Sequence, residues 1–183
     1  MELSGLAAAL ADDLDAAFPR LVRALEDDIF SGTLRLTGSR LAAEDLTQEA
    51  FVRAYRALAR YSPDRVRGMQ LRGWVWTIAL NLCRIRARAD VRRPAEEPLD
   101  QRAAVPDPGP GPEQRALAHA ERERLARHLS RLPWEMRTAV VLRHVSGLSY
   151  TEASVALGRP VGTVKSDVHR GLRALRRSLE EEP

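Results

Sequence analysis

Apolar residues recur along most of the chain at steps of three and four, and no stretch alternates apolar with polar as a half-buried strand would. The pattern predicts an all-α protein. It fails between Arg93 and Glu113, where "PAEEPLDQRAAVPDPGPGP" holds six of the eleven prolines and almost nothing able to fill a core. That segment, 94–112, reads as an extended, semi-rigid linker. It divides the chain into two small helical domains, 6–93 and 113–180.

In the second domain, "LPWEMRTAVVLRHVSG" puts Pro133 at a first helical turn and Gly147 just past the end. Next, "SYTEASVALG" opens on Ser149 with Glu152 three residues on, a capping box, and stops at Gly158. A tight Gly-Arg-Pro turn leads into a last helix whose Val161, Val164, Val168, Leu172, Leu175 and Leu179 form one apolar stripe. At about 100° per residue, Gly162, Thr163, Ser166, Arg170, Arg173 and Arg177 fall on the opposite side.

Small groups at the helix start let it approach a surface closely, and the arginines behind can take phosphates or base edges. This is the logic of a helix-turn-helix whose second helix enters the major groove. Lys165, the only lysine in the chain, flanks the stripe, where it either reaches a phosphate or stays solvated. Asp167 lies on the other flank. It either pairs with Arg170 three residues on or accepts from a cytosine amine, and the pair is preferred. With His169 added, the candidate contacts with duplex DNA are Thr163, Lys165, Ser166, Asp167, His169, Arg170 and Arg173.

In the first domain, "LRGWVWTIALNLCRIRARADVRR" offers a core stripe of Leu71, Trp74, Val75, Ile78, Leu82 and Ile85. Trp76 projects from the other side with Arg72, Thr77, Leu80, Cys83, Arg84 and Arg88 around it. An indole left on a basic face suits stacking on an unpaired base; packing against another helix, the linker or a partner protein is the equal alternative. Cys83 reads as a small filler. Upstream, "SRLAAEDLTQEAFVRAYRAL" supplies Leu46, Ala50, Phe51, Ala54 and Leu58 to the core, and Asp45, Gln48, Glu49 and Val52 share another face.

Charge sharpens the division. The net charge of +4 conceals an acidic start: residues 1–50 carry 4 basic and 10 acidic side chains, leaving a basic remainder. Two kinds of partner surface are implied, one of them suited to a polyanion. With one cysteine no internal disulfide is possible, and no run spans a bilayer or resembles a signal peptide, so a soluble, cytoplasmic protein without membrane contact is expected. The four histidines lack metal-ligand spacing, no base activates the cysteine and no glycine-rich phosphate loop follows a strand. Neither catalysis, a cofactor nor a bound metal is expected.

These segments together resemble bacterial sigma factors of the extracytoplasmic-function (ECF) group, which keep only sigma regions two and four. The resemblance covers nearly the whole chain. "DLTQEAF" and "WVWTIALNLCR" match region two; "LSYTEA" and "PVGTVKSDVHRGLRALR" match region four. It implies that Asp45, Gln48 and Glu49, with Val52 beside them, face the clamp of core RNA polymerase. Arg72, Trp76, Asn81, Arg84 and Arg88 would open the minus-ten element and read it as single strand, with a base pocket in "ARYSPDRVRGMQ". The second helix of the helix-turn-helix would read the minus-thirty-five duplex, other region-four surfaces would meet the polymerase flap, and the linker would thread between. An anti-sigma factor is a further implied partner, with Trp76, Leu80 and Cys83 as an exposed strip for it. Departures are Leu80 for a usual arginine, Ile85 near a common aspartate, Asp167 for a frequent arginine, and Ala153 and Ser154 for Ile-Ala. The alternative functions are a regulator that binds duplex DNA without polymerase and a sigma-like competitor that occupies polymerase without initiating.

Overall fold

The computed structural model describes residues 3, 5–92 and 124–181, and among them every regular element is helical. The expected linker, 94–112, and the domain boundaries beside it lie outside the described residues. Helices α1 (Leu6–Asp12), α2 (Leu14–Thr37), α3 (Arg40–Leu58), α4 (Pro63–Arg67) and α5 (Leu71–Arg92) form the first unit. The second contains α6 at residues 124–130, α7 (Trp134–Val140) running into a π-helical turn (Val141–Val145), α8 (Tyr150–Leu157) and α9 (Val161–Glu180).

The first unit is built by spacing and capping. Asp13 and Ser39 each accept a hydrogen bond from the backbone N–H three residues on, at 3.0 and 3.3 Å, and so start α2 and α3. From α2, Leu21, Leu25 and Ile29 meet Leu46, Ala50, Phe51, Ala54 and Leu58 of α3, all buried. Each large aliphatic side chain so buried contributes about 1.5–3 kcal/mol before the loss of chain entropy is set against it. Leu71, Val75 and Leu82 of α5 complete this core, while Ile85, expected with them, is 59% exposed because it lies beyond the helices that cover the rest of α5.

In the second unit the buried face of α9 is rotated from the expected stripe. Val164, Val168 and Leu175 are buried as anticipated, but so are Asp167 and Gly171, while Leu172 and Leu179 stay 38% and 37% exposed. The cause is the crossing of α7 over α9 at Gly171. A Cβ on Gly171 would stand 2.6 Å from Val140 Cγ2 and 3.3 Å from the carbonyl of Met136, so the absence of a side chain sets the contact.

The two units pack directly on one another along a seam between α5 and α8 and between α2 and the π turn. Trp76 is fully buried there against Gly32 of α2, which Ser146 Oγ also approaches, with its indole N–H 3.4 Å from Asp28 Oδ2. Arg72 crosses the same seam, pairing with Asp28 at 2.9 Å and donating to the carbonyl of Ser146. The Ser146 N–H bonds back to Val141, the five-residue step of the π turn. Further along, the Thr77 hydroxyl lies 3.3 Å from the carbonyl of Val155, and a Cβ on Gly73 would be 2.8 Å from the carbonyl of Glu152.

Candidate nucleic-acid interface

The helix-turn-helix geometry follows from its punctuation. Ser149 Oγ accepts from the Glu152 N–H at 3.1 Å, and the Glu152 carboxylate accepts from the Ser149 N–H at 2.8 Å, so the capping box read from sequence is complete. Gly158 ends α8 at φ 62°, a left-handed conformation that favours glycine. The turn is then pinned through Arg159, whose N–H reaches the carbonyl of Ser154 at 3.1 Å and whose own carbonyl accepts from Ser154 Oγ at 2.6 Å. Ser154, one of the departures, thereby holds the turn.

Along α9, Lys165, Ser166, His169, Arg170 and Arg173 are exposed and Thr163 is half-buried. Lys165 does not hang free: its ammonium sits 5.5 Å from the centre of the Tyr150 ring, which Arg143 also approaches. Asp167 does not share this outer face. Its side chain is 3% exposed, with Oδ1 accepting from Arg170 at 2.7 Å and Oδ2 from Arg159 at 2.5 Å. The Arg170 pair is present as preferred; the Arg159 partner was not foreseen. With both oxygens occupied inside the protein, Asp167 is not placed to accept from a base.

The residues assigned to single-stranded DNA split into two groups. Asn81, Arg84 and Arg88 are exposed in the later turns of α5, whereas Arg72 and Trp76 lie in the seam. Leu80 and Cys83 are buried with Trp76, so the strip expected to be open to a partner is covered in this arrangement. Burial pushes the Cys83 thiol up to about 12, its own backbone hydrogen bond and the Arg137 guanidinium offsetting part of the rise. Desolvation in turn lowers Arg137, whose Nε is buried without a hydrogen-bond partner among the described residues. The signal for this burial was present in "LRGWVWTIALNLC": a helix apolar nearly all round is covered on both sides.

The segment expected to hold a base pocket, residues 59–70, contains the short α4. Ser62 caps it, Val66 anchors it in the core, and Arg65 stacks 3.7 Å above the Tyr61 ring. A cavity of about 340 Å³ is bordered by Met69, Gln70 and Arg72 on one side and Ser149 and Glu152 on the other.

On α3, Asp45, Gln48 and Val52 are exposed and Glu49 is half-exposed, its carboxylate 2.7 Å from Arg53. Gln48 and Val52 also border a groove of about 750 Å³ between α2 and α3. Its floor is Phe18, Val22, Phe30 and Phe51, and its rim carries Glu26, Asp27 and Glu44 together with Arg56 and Arg40, the last paired with Glu44 at 2.8 Å. The groove was missed in the sequence, although Phe18, Val22 and Phe30 repeat every four residues or a multiple of four, a second apolar stripe on α2.

Among the described residues no helix is long and apolar enough to cross a membrane. The family model for sigma-70 region 2 matches residues 21–93, and that for sigma-70 region 4 matches residues 122–175. The chain is 39% identical to the ECF RNA polymerase sigma factor SigE of Mycolicibacterium smegmatis over 96% of its own length and 67% of the relative's. It is 32% identical to ECF RNA polymerase sigma factor SigW of Bacillus subtilis over 90% of each chain. Among solved structures, CnrH in complex with the cytosolic domain of CnrY superposes with a TM-score of 0.73 at 26% identity, covering 97% of both chains. Two helical units, a capped helix-turn-helix and relatives matched across most of their length agree: the chain belongs to the ECF group of the sigma-70 family and is an alternative sigma factor of bacterial RNA polymerase.

Proposed function

We propose that the groove between α2 and α3, with Asp45, Gln48, Glu49 and Val52, is the surface that holds the clamp of core polymerase, and that α9 reads the minus-thirty-five duplex through Thr163, Lys165, Ser166, His169, Arg170 and Arg173. The observation that carries this is the coexistence on one chain of an apolar groove with a charged rim and an exposed basic recognition helix. The groove suits the apolar face of an amphipathic helical partner, and the helix suits DNA. Neither surface need bind tightly alone, since tethering through polymerase supplies effective concentration.

On this reading Asn81, Arg84 and Arg88 contact the displaced minus-ten strand, and Arg72 and Trp76 join them once the seam has opened. The segment 59–70 borders the path of an extruded base, whose unpairing consumes a few kcal/mol that stacking must offset. Linker residues 94–112 connect the units through the polymerase, and region four also meets the flap. The chain acts in the cytoplasm and without catalysis of its own. An anti-sigma factor is a further partner; the neighbour CnrH, solved with the cytosolic domain of CnrY, shows a chain of this shape holding a second protein. It would meet Trp76, Leu80 and Cys83 only after region four has moved aside.

Run-off transcription with purified core polymerase tests the proposal. Initiation that depends on both promoter elements and fails with Gln48→Arg plus Val52→Glu is expected. Stable polymerase binding with no transcript would identify a competitor, and footprints on DNA without polymerase would identify a conventional regulator.

A further inference from the structure

Asp167 reaches nothing outside the protein, yet it grips two arginines, one in the turn before the recognition helix and one at the middle of that helix. Its carboxylate is almost wholly buried, with one oxygen 2.7 Å from Arg170 and the other 2.5 Å from Arg159. Arg159 is itself fixed, because Ser154 takes hold of its backbone on both sides of the turn. Arg170 in contrast keeps a 57% exposed side chain on the face shared with Ser166 and Arg173. The result is a chain of contacts from α8 through the turn to one exposed guanidinium.

Resting on the reading of α9 as the major-groove helix, we infer that Asp167 is a positioning residue for promoter specificity: it fixes the Arg170 fork over a single base pair of the minus-thirty-five element. A phosphate accepts an arginine in many rotamers, whereas a base edge requires a planar fork held at one height and angle. An arginine with free rotamers serves the first task; one tethered through Nη2 to a buried, fully engaged carboxylate is prepared for the second. The N–H groups of Arg170 outside the tether match the paired acceptors of guanine. Arg159 makes the tether rigid by occupying the other oxygen, so Asp167 cannot swing to follow a misplaced Arg170.

The test uses holoenzyme assembled from core polymerase and the full chain, supplied with a promoter library randomised in the minus-thirty-five duplex. The wild-type chain and its Asp167→Asn, Arg170→Ala and doubly substituted forms are compared, with thermal stability measured in parallel. Asp167→Asn is expected to weaken preference at one base pair by about fivefold or more while leaving preference elsewhere intact. Arg170→Ala should lose preference at that same pair, and adding Asp167→Asn to it should change the profile no further. A uniform fall in initiation across all sequences, tracking the loss of thermal stability, would make Asp167 a mere pin of the turn and overturn the inference. Initiation by the wild-type chain with no dependence on the minus-thirty-five sequence would instead remove the reading of α9 itself.

Discussion

Helices α5 and α9 are both arginine-rich and both assigned to promoter DNA, yet the structure treats them oppositely. The outer face of α9 is open, and its few buried residues line one side only. Through its first three turns α5 is covered on two sides, by α2 and α3 of its own unit and by α8 of the other. The difference lies in where the apolar residues fall. Positive charge on α5 is confined to Arg72 at its start, already paired with Asp28, and to the arginines from Arg84 onward. Between them runs an apolar middle that needs cover, and region four supplies it. A basic helix can therefore be poised for DNA or occupied by its own protein, and the residues between the charges decide which.

Cys83 gives the largest expected signal of that occupancy. Its thiol, raised from 9.0 to about 12 by burial, holds its proton more tightly folded than unfolded. The associated stability is complete below pH 9 and is lost as pH rises from 9 towards 12. At pH 8 the thiolate fraction in the folded chain is roughly a thousandth of that in the unfolded chain. Alkylation of the native chain should be slower by about a hundredfold or more, because the loss of thiolate and of access outweighs the higher nucleophilicity of a high-pKa thiolate. Comparable rates in buffer and in denaturant would mean that the α5 seam stands open in solution.

Trp76→Ala follows. Removing a fully buried indole is expected to lower the unfolding free energy by about 3–5 kcal/mol, and it leaves Asp28 with one hydrogen-bond donor fewer. Denaturant titration of the full chain measures this, and a loss below about 1 kcal/mol would contradict the burial.

The same contrast marks how far the sequence could be read. Punctuation was legible: the Ser149–Glu152 box, the left-handed Gly158 and the Asp167–Arg170 pair all stand where local spacing put them. These depend on residues within a few positions of each other. Periodicity located the apolar face of α9 only approximately, assigning Leu172 to the core when Gly171 is the point of contact, because a glycine registers as a gap in a hydrophobic pattern and as an opportunity in a helix crossing. For Trp76 the sequence allowed both stacking on a base and packing against another helix, and it packs; the pattern could not decide, for a related reason. A pattern can say that an indole is off the main core stripe, but the cover for it comes from Asp28 and Gly32 of α2, a separation along the chain that no local rule can bridge. The groove between α2 and α3 was overlooked because its floor is shared between two helices whose core faces already account for most of their apolar residues.

Glycine substitutions separate the two helices at smaller magnitude. On α5, Gly73→Leu drives a side chain into the backbone of α8, where a Cβ alone would meet the carbonyl of Glu152 at 2.8 Å. Overpacking of this kind costs about 1–3 kcal/mol when the site can yield. Here it can yield by parting the two units, so small-angle scattering should report a larger radius of gyration and Cys83 should alkylate faster. On α9, Gly162 faces open space, and a Cβ added there would meet nothing within 4 Å. Gly162→Ala should raise stability by up to about 1 kcal/mol through helix propensity alone and leave the radius unchanged. It also adds a methyl group on the face proposed to approach DNA, so a small loss of minus-thirty-five binding alongside the gain in stability is expected. A loss of stability at Gly162 equal to that at Gly73 would erase the distinction, because it would mean that the start of α9 is covered as closely as the start of α5.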